Sequence, residues 1–494
     1  MDSVGTAARE ESLDPENWEE MRLLGHRMVD QMMDYLEHVR DRPVWQPIPA
    51  GVTGQFHKPL PSAPEGVERS YQDFLRYVLP YPTGNIHPRF WGWVMGNGTA
   101  FSMLAEMLAA GMNLNQGGGA QAGSLVEMQV LDWCKEMLGL PGTASGILVS
   151  GGSMANLVGL AVARNAKAGY NIRSEGVRGA PRAMVLYAST ETHSSVQKGV
   201  ELLGLGSKAI HKIAVNSRFE IDTSLLREAI HEDRSRGLEP FCVVGNAGTV
   251  NTGATDDLTA LADLCRQEGL WFHVDGAFGA LAALSPELRR IVSGIECADS
   301  LAFDLHKWMS MPYEVGCTLV KDAVAHRRAF SLTPDYLEHT TRGIAGSDVW
   351  LSDYGVQLSR GFRALKVWMS IKEHGIEKFG RIIRQNVEQA RYLADRISRE
   401  PELELLAPVP MNIVCFRYCG AGGERGELDD LNRELLFGLH EKGIAAPSYT
   451  ILDGKYALRV CITNHRSIRK DYDLLADEVI RIGRELQKRG GGVL

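Results

Sequence analysis

Between about residue 100 and residue 330 the chain repeats one pattern: a short apolar run, a polar turn, a helical stretch and another apolar run. The runs read "GILVS", "AMVLYAS", "HKIAV", "FCVVGN", "LWFHVD", "SLAFD" and "GCTLV". They are rich in β-branched and large apolar residues and lack strict alternation, so each predicts a strand buried on both faces. Helical stretches such as "SMANLVGLAVARNAKAG" and "LTALADLCRQEG" separate most of them. Strands linked by helices predict an α/β fold, a mostly parallel seven-stranded sheet covered on both sides. In such a sheet ligands gather at the carboxyl ends of the strands. The search for chemistry therefore starts there.

The flanks read differently. "PENWEEMRLLGHRMVDQMMDYLEHV" places Met21, Leu24, Met28, Met32, Tyr35 and Leu36 on one helical face. The Pro- and Gly-rich "RDRPVWQPIPAGVTGQFHKPLPSAPEG" after it predicts an extended, irregular strap. Such an arm cannot bury its own apolar face, and its expected place is on a second subunit. Beyond a long helical region, "LELLAPVPMNIVCFRY" and "YALRVCIT" alternate like antiparallel strands, while "ELDDLNRELLFGLHEKG" and "KDYDLLADEVIRIGRELQKRG" are amphipathic helices. The expected organisation is an arm over 1–85, a large domain over 86–385 and a small α+β domain over 386–494. A chain of 494 residues is too long for one core, which agrees.

Charge and cysteine usage narrow the function. A net charge of -8 without Lys/Arg clusters argues against a nucleic-acid partner. The start "MDSVGTAAREESLDPENW" has no leader pattern, and the apolar "FSMLAEMLAAGM" contains Glu106 and is too short to span a bilayer. Eight cysteines are scattered without a CxxC pair, which fits reduced thiols in a cytoplasmic protein and no metal framework.

Four strand ends carry unusual residues. In "ILVSGGSMANL" the backbone N–H groups of Gly151, Gly152 and Ser153 open a helix and could receive a phosphate; a Ser-capped turn explains the same letters. "YASTETHSSV" puts His193 past a strand, where a turn histidine is the ordinary reading. "LWFHVDGAFGA" ends an apolar strand in Asp275, a buried carboxylate that needs a cation, either a structural partner or a ring nitrogen. "SLAFDLHKWMSMP" puts Lys307 at the end of another such strand. It either pairs with Asp304 or is desolvated so that its amine is nucleophilic near neutral pH. Together these residues supply what pyridoxal 5'-phosphate requires: a phosphate anchor, a ring-stacking group, an acid for the ring nitrogen and a lysine.

"DLHKWM", with "HVDGAFGA" before it, resembles the group II pyridoxal-dependent amino-acid decarboxylases, and within them the aromatic-L-amino-acid decarboxylase branch. The similarity runs from "WEEMRLLGHRMVDQMMDYL" through "HPRFWGW" to "YALRVCIT". It implies the fold type I architecture, aspartate-aminotransferase-like, and a homodimer with its active site at the subunit interface. It implies that Lys307 carries the cofactor as a Schiff base, that Asp275 keeps the ring nitrogen protonated, and that Ala277 and His193 lie against its two faces. Gly151, Gly152 and Ser153 would hold the phosphate, Thr249 would sit near the cofactor, and His306 beside the phosphate and the mouth. Asp304 stands where some relatives have Asn. Tyr336, in "SLTPDYLEHTTRGIAGSD", would return the proton from a mobile loop; relatives that make aldehydes have Phe there.

Trp93, Val94 and Met95 of "HPRFWGWVMG" are the expected substrate wall. Gly117, Gly118 and Gly119 stand where aromatic decarboxylases carry bulky residues donated by the partner subunit, and their smallness would enlarge the pocket or admit backbone. The expected reaction is decarboxylation of an aromatic L-amino acid, of the Trp, Tyr or DOPA type, to the amine. Oxidative deamination to an aldehyde and a non-aromatic substrate are the alternatives, and a non-catalytic scaffold is the reading from another class.

Overall fold

A computed structural model describes residues 10–332, 342–347, 349–420 and 424–490. The chain forms two compact units, one of Met1–Arg42 with Pro47–Pro82, the other of Pro43–Gln46 with Thr83–Leu494.

The first unit is built on the helix Trp18–Glu37, started by Asn17, whose side-chain oxygen accepts from the N–H groups of Glu19 and Glu20. Leu24 and Tyr35 of its apolar face are buried, while Met28 remains 39% exposed. A groove of about 770 Å³ runs along this face, lined by Met21, Leu24, Met28, Met32, Val67 and Tyr71 among others. The strap is less extended than its composition predicts. It holds a helical turn at Ala50–Thr53 and a 3-10 turn at Gly54–His57.

In the second unit, β1 (Phe90–Trp91) precedes the central sheet, made by β2 (Ser145–Val149), β3 (Met184–Ser189), β4 (Ile210–Ile213), β5 (Glu239–Asn246), β6 (Trp271–Asp275), β7 (Ser300–Asp304) and β8 (Gly316–Val320). The strand order is β2-β8-β7-β6-β5-β3-β4. Only β8 runs antiparallel to its neighbours; the pairings β7–β6, β6–β5, β5–β3 and β3–β4 are parallel. The carboxyl ends of β3, β6 and β7 therefore open on the same edge, which is what gathers the site.

A second sheet, in the order β1-β11-β12-β10-β9, joins β9 (Leu403–Leu405), β10 (Ile413–Tyr418), β11 (Ala446–Leu452) and β12 (Lys455–Cys461) to β1. Between the two sheets the expected long helical region breaks into helices Arg363–His374 and Ile376–Ser398. Gly375 between them takes φ +68, the left-handed region where glycine is favoured. The second helix serves two cores. Ile383 and Val387 pack with the central sheet, and Ala390, Leu393 and Ile397 pack with the small one. The expected 385/386 division falls inside this helix. Among the described residues no helix is long and apolar enough to cross a membrane.

Candidate active site

A cavity of about 490 Å³ opens at the carboxyl edge of the central sheet. Its wall brings together Gly151, Gly152, Ser153, His193, Thr249, Asp275, Ala277, His306 and Lys307, residues spread over more than 150 positions of chain. Trp93 and Val94 also line it. Met95 does not: it packs with Val44, Phe90 and Ala446. Nor do Gly117 and Gly118 reach this chain's cavity. A Cβ on Gly117 would meet the Leu358 carbonyl at 2.5 Å, and one on Gly118 the Trp350 ring. Tyr336 lies outside the described residues.

The strand β2 delivers the first element. The helix Gly152–Lys167 begins at Gly151, and no side chain caps its first turn. Ser153 is thus not the N-cap, and the helix presents its opening N–H groups as free donors, a ready anion site. The glycines are needed. A Cβ on Gly152 would stand 2.8 Å from Asp304 Oδ2, and one on Gly151 would stand 3.2 Å from the His306 ring.

The strand β7 ends in Asp304, and the short helix Leu305–Trp308 turns Lys307 back over it. Lys307 Nζ lies 2.9 Å from Asp304 Oδ2. Burial, the largest single influence, pushes the Lys307 amine down. The charge of Asp304, the hydrogen bond to it and the charge of Asp275 together outweigh burial and hold the amine above its ordinary value. Of the two readings of Lys307, pairing with Asp304 is the one this geometry holds. The other oxygen, Asp304 Oδ1, is buried with no hydrogen-bond partner among the described residues. His306 Nδ1 contacts the Val315 carbonyl and N–H at 3.0 and 3.2 Å, and burial holds its ring below the usual histidine value.

Asp275, 5% exposed, accepts from neutral donors, Asn156 Nδ2 at 2.9 Å on Oδ2 and the Ala277 N–H at 3.1 Å on Oδ1. A desolvated carboxylate held by neutral groups is a receptor for a cation. His193 caps the helix Ser194–Leu202 through Nδ1. Burial lowers its pKa, and the Lys307 charge acts in the same direction against Asp275. Thr249, buried, sets Oγ1 at 3.2 Å from Thr252 Oγ1.

These residues fit pyridoxal phosphate. The helix start suits its phosphate, the Asp275 carboxylate its ring nitrogen, the small Ala277 a flat face, and Lys307 its carbonyl carbon. Sequence reasoning passed over Asn156, Ser195, Asn246 and Tyr313, which also line the cavity. For Asn156 a signal existed, since it is a polar residue among Ala155, Val158 and Gly159 on the buried face of its helix. Tyr313 carried none.

Residues 49–419 match the pyridoxal-dependent decarboxylase conserved domain. An aromatic-L-amino-acid decarboxylase of Bacillus atrophaeus is 35% identical over 460 residues, covering 92% of this chain and 93% of that protein. A phenylacetaldehyde synthase of Arabidopsis thaliana is 31% identical over 484 residues, covering 94% and 97%. Among solved structures, Oryza sativa TDC with PLP and tryptamine superposes with a TM-score of 0.88 at 26% identity, over 96% of this chain and 100% of that one.

Proposed function

The chain belongs to the pyridoxal-dependent decarboxylase family, and from that premise we propose that it converts an aromatic L-amino acid to its amine and carbon dioxide. Pyridoxal phosphate is its cofactor. The observation that carries the reading is the meeting of Lys307, Asp275 and His193 in one cavity beneath an uncapped Gly-Gly helix start. The aromatic substrate rests on the relatives and on Trp93 and Val94 in the cavity wall.

The bound cofactor supplies a protonated ring that accepts the electron pair left when the Cα–carboxylate bond breaks. The chain's own residues do the rest. Lys307 Nζ would hold the cofactor and give it up to the substrate amine. Asp275 would keep the ring nitrogen protonated, Ala277 and His193 would lie against the ring faces, and the N–H groups from Gly151 to Ser153 would hold the phosphate, with Thr249 and His306 beside them. Tyr336, outside the described residues, is the residue that would return a proton to the substrate carbon. Residues 1–85 act as an arm on a second copy, the two copies sharing the active site at their interface in the cytoplasm; 86–385 and 386–494 are the large and small domains. The apolar groove along the arm's helix supports that reading.

Purified protein should show a visible band that is lost in Lys307→Ala, and release amine and carbon dioxide in equal amounts from Trp, Tyr or DOPA. A band without turnover of any aromatic amino acid removes the substrate assignment. The likeness to a phenylacetaldehyde synthase supports a second reading, decarboxylation with oxidative deamination. Aldehyde, ammonia and peroxide in the wild-type product mixture would establish it. In the first reading only Tyr336→Phe yields them.

A further inference from the structure

Asn156 is 1% exposed, and its amide reaches three partners. Nδ2 donates to Asp275 Oδ2 at 2.9 Å and to Ser195 Oγ at 3.1 Å, while Oδ1 lies 2.9 Å from His273 Nε2. One fixed end sets every direction in this network. An ionised carboxylate only accepts, so the amide nitrogen faces Asp275 and the amide oxygen faces His273. His273 therefore carries its proton on Nε2. Its bare Nδ1 accepts from the Ser300 hydroxyl at 2.8 Å, whose oxygen in turn accepts from the Trp271 indole N–H at 2.8 Å.

The second branch runs the other way. Ser195 Oγ accepts from Asn156, which leaves its hydroxyl hydrogen for His193 Nδ1, 2.8 Å away. The Ser195 backbone N–H donates to the same nitrogen at 3.1 Å. Two donors on Nδ1 leave no room for a proton there, so the hydrogen of the neutral ring sits on Nε2.

We propose that Asn156, acting through Ser195, is a positioning residue that locks His193 in its Nε2–H tautomer with the same amide that holds Asp275. The proposal rests on reading Asp275 and His193 as the groups that face the cofactor. It gives the site a fixed polarity, with a bare carboxylate at one end and an N–H at the other, both set by one amide.

The test labels the histidine rings of the holoenzyme with 15N and reads His193, assigned with His193→Gln, at neutral pH. The wild type should show Nε2 protonated and Nδ1 bare. Asn156→Ala and Ser195→Ala should each shift the Nδ1 resonance, and Ser195→Thr, which keeps the hydroxyl, should restore it. Asn156→Ala should also weaken cofactor binding on the order of tenfold, the effect of one lost hydrogen bond to a charged group, and Ser195→Ala should weaken it by less. A wild-type His193 protonated on Nδ1, or a resonance unmoved by both alanine variants, overturns the proposal. Asp275→Asn separates the underlying reading: unchanged cofactor affinity there removes Asp275 from the cofactor, while the His193 tautomer still judges the network.

Discussion

Asp304 sets the charge of the lysine at the centre of the site. Its carboxylate and that of Asp275 overcome the burial that would otherwise lower the Lys307 amine. In Asp304→Asn burial should win, and the amine should lose its proton at lower pH. The measurement is the pH dependence of the rate at which cofactor-free protein captures pyridoxal phosphate; its midpoint should move down, and an upward or absent shift would contradict the pairing. Gly152→Ala would put a methyl 2.8 Å from Asp304 Oδ2 and 3.6 Å from the Ala277 Cβ, inside the proposed phosphate cradle, and should sharply weaken cofactor binding in an equilibrium titration. Asp275 was legible in the sequence because it ends an apolar run, and Lys307 and His193 because each stands just past one. Asn156 was only partly legible: helical periodicity marks it as a polar residue on a buried face, but its value lies in a partner 119 positions away that periodicity does not name.

The central strands were legible for a physical reason. A strand covered on both faces is apolar at most positions, and β2, β3, β5, β6, β7 and β8 each carry such a run, while the edge strand β4 carries His211 and Lys212 between Ile210 and Ile213. The small sheet was only partly legible. β11 contains Pro447, which reads as a breaker, and β1 is two residues long; both sit where a partner strand, not an internal pattern, defines them. The helix Ile376–Ser398 was legible as a helix but not as a shared one, since both cores draw on the same apolar stripe. Leu393 is fully buried in the small core. Leu393→Ala should cost about 2–5 kcal/mol, read as a lower urea midpoint, and an unchanged midpoint would remove this helix from the stability of that core.

At the scale of the whole molecule, acid should be destabilising for a specific reason. Burial lowers His273 and His326 from 6.5 to about 4 and His465 to about 3. The unfolded chain takes up these protons first as pH falls through about 6.5, so stability is lost from there down to about pH 4 for His273 and His326 and about pH 3 for His465, and no further below the folded values. His273 and His326 each contribute up to about 3 kcal/mol to that loss, and His465 up to about 5 kcal/mol. Thermal midpoints measured across this window should fall, and His326→Gln should flatten part of the fall; a profile of unchanged steepness would count against that histidine's part. The shared helix has a further meaning at this scale. A recombination breakpoint at 385/386 would divide a helix whose halves are claimed by different cores, leaving each fragment with an open apolar seam. The carboxyl-terminal α+β segment is thus no cassette for domain shuffling, and a chimaera that exchanges it with a relative should keep the whole of Ile376–Ser398 from one parent.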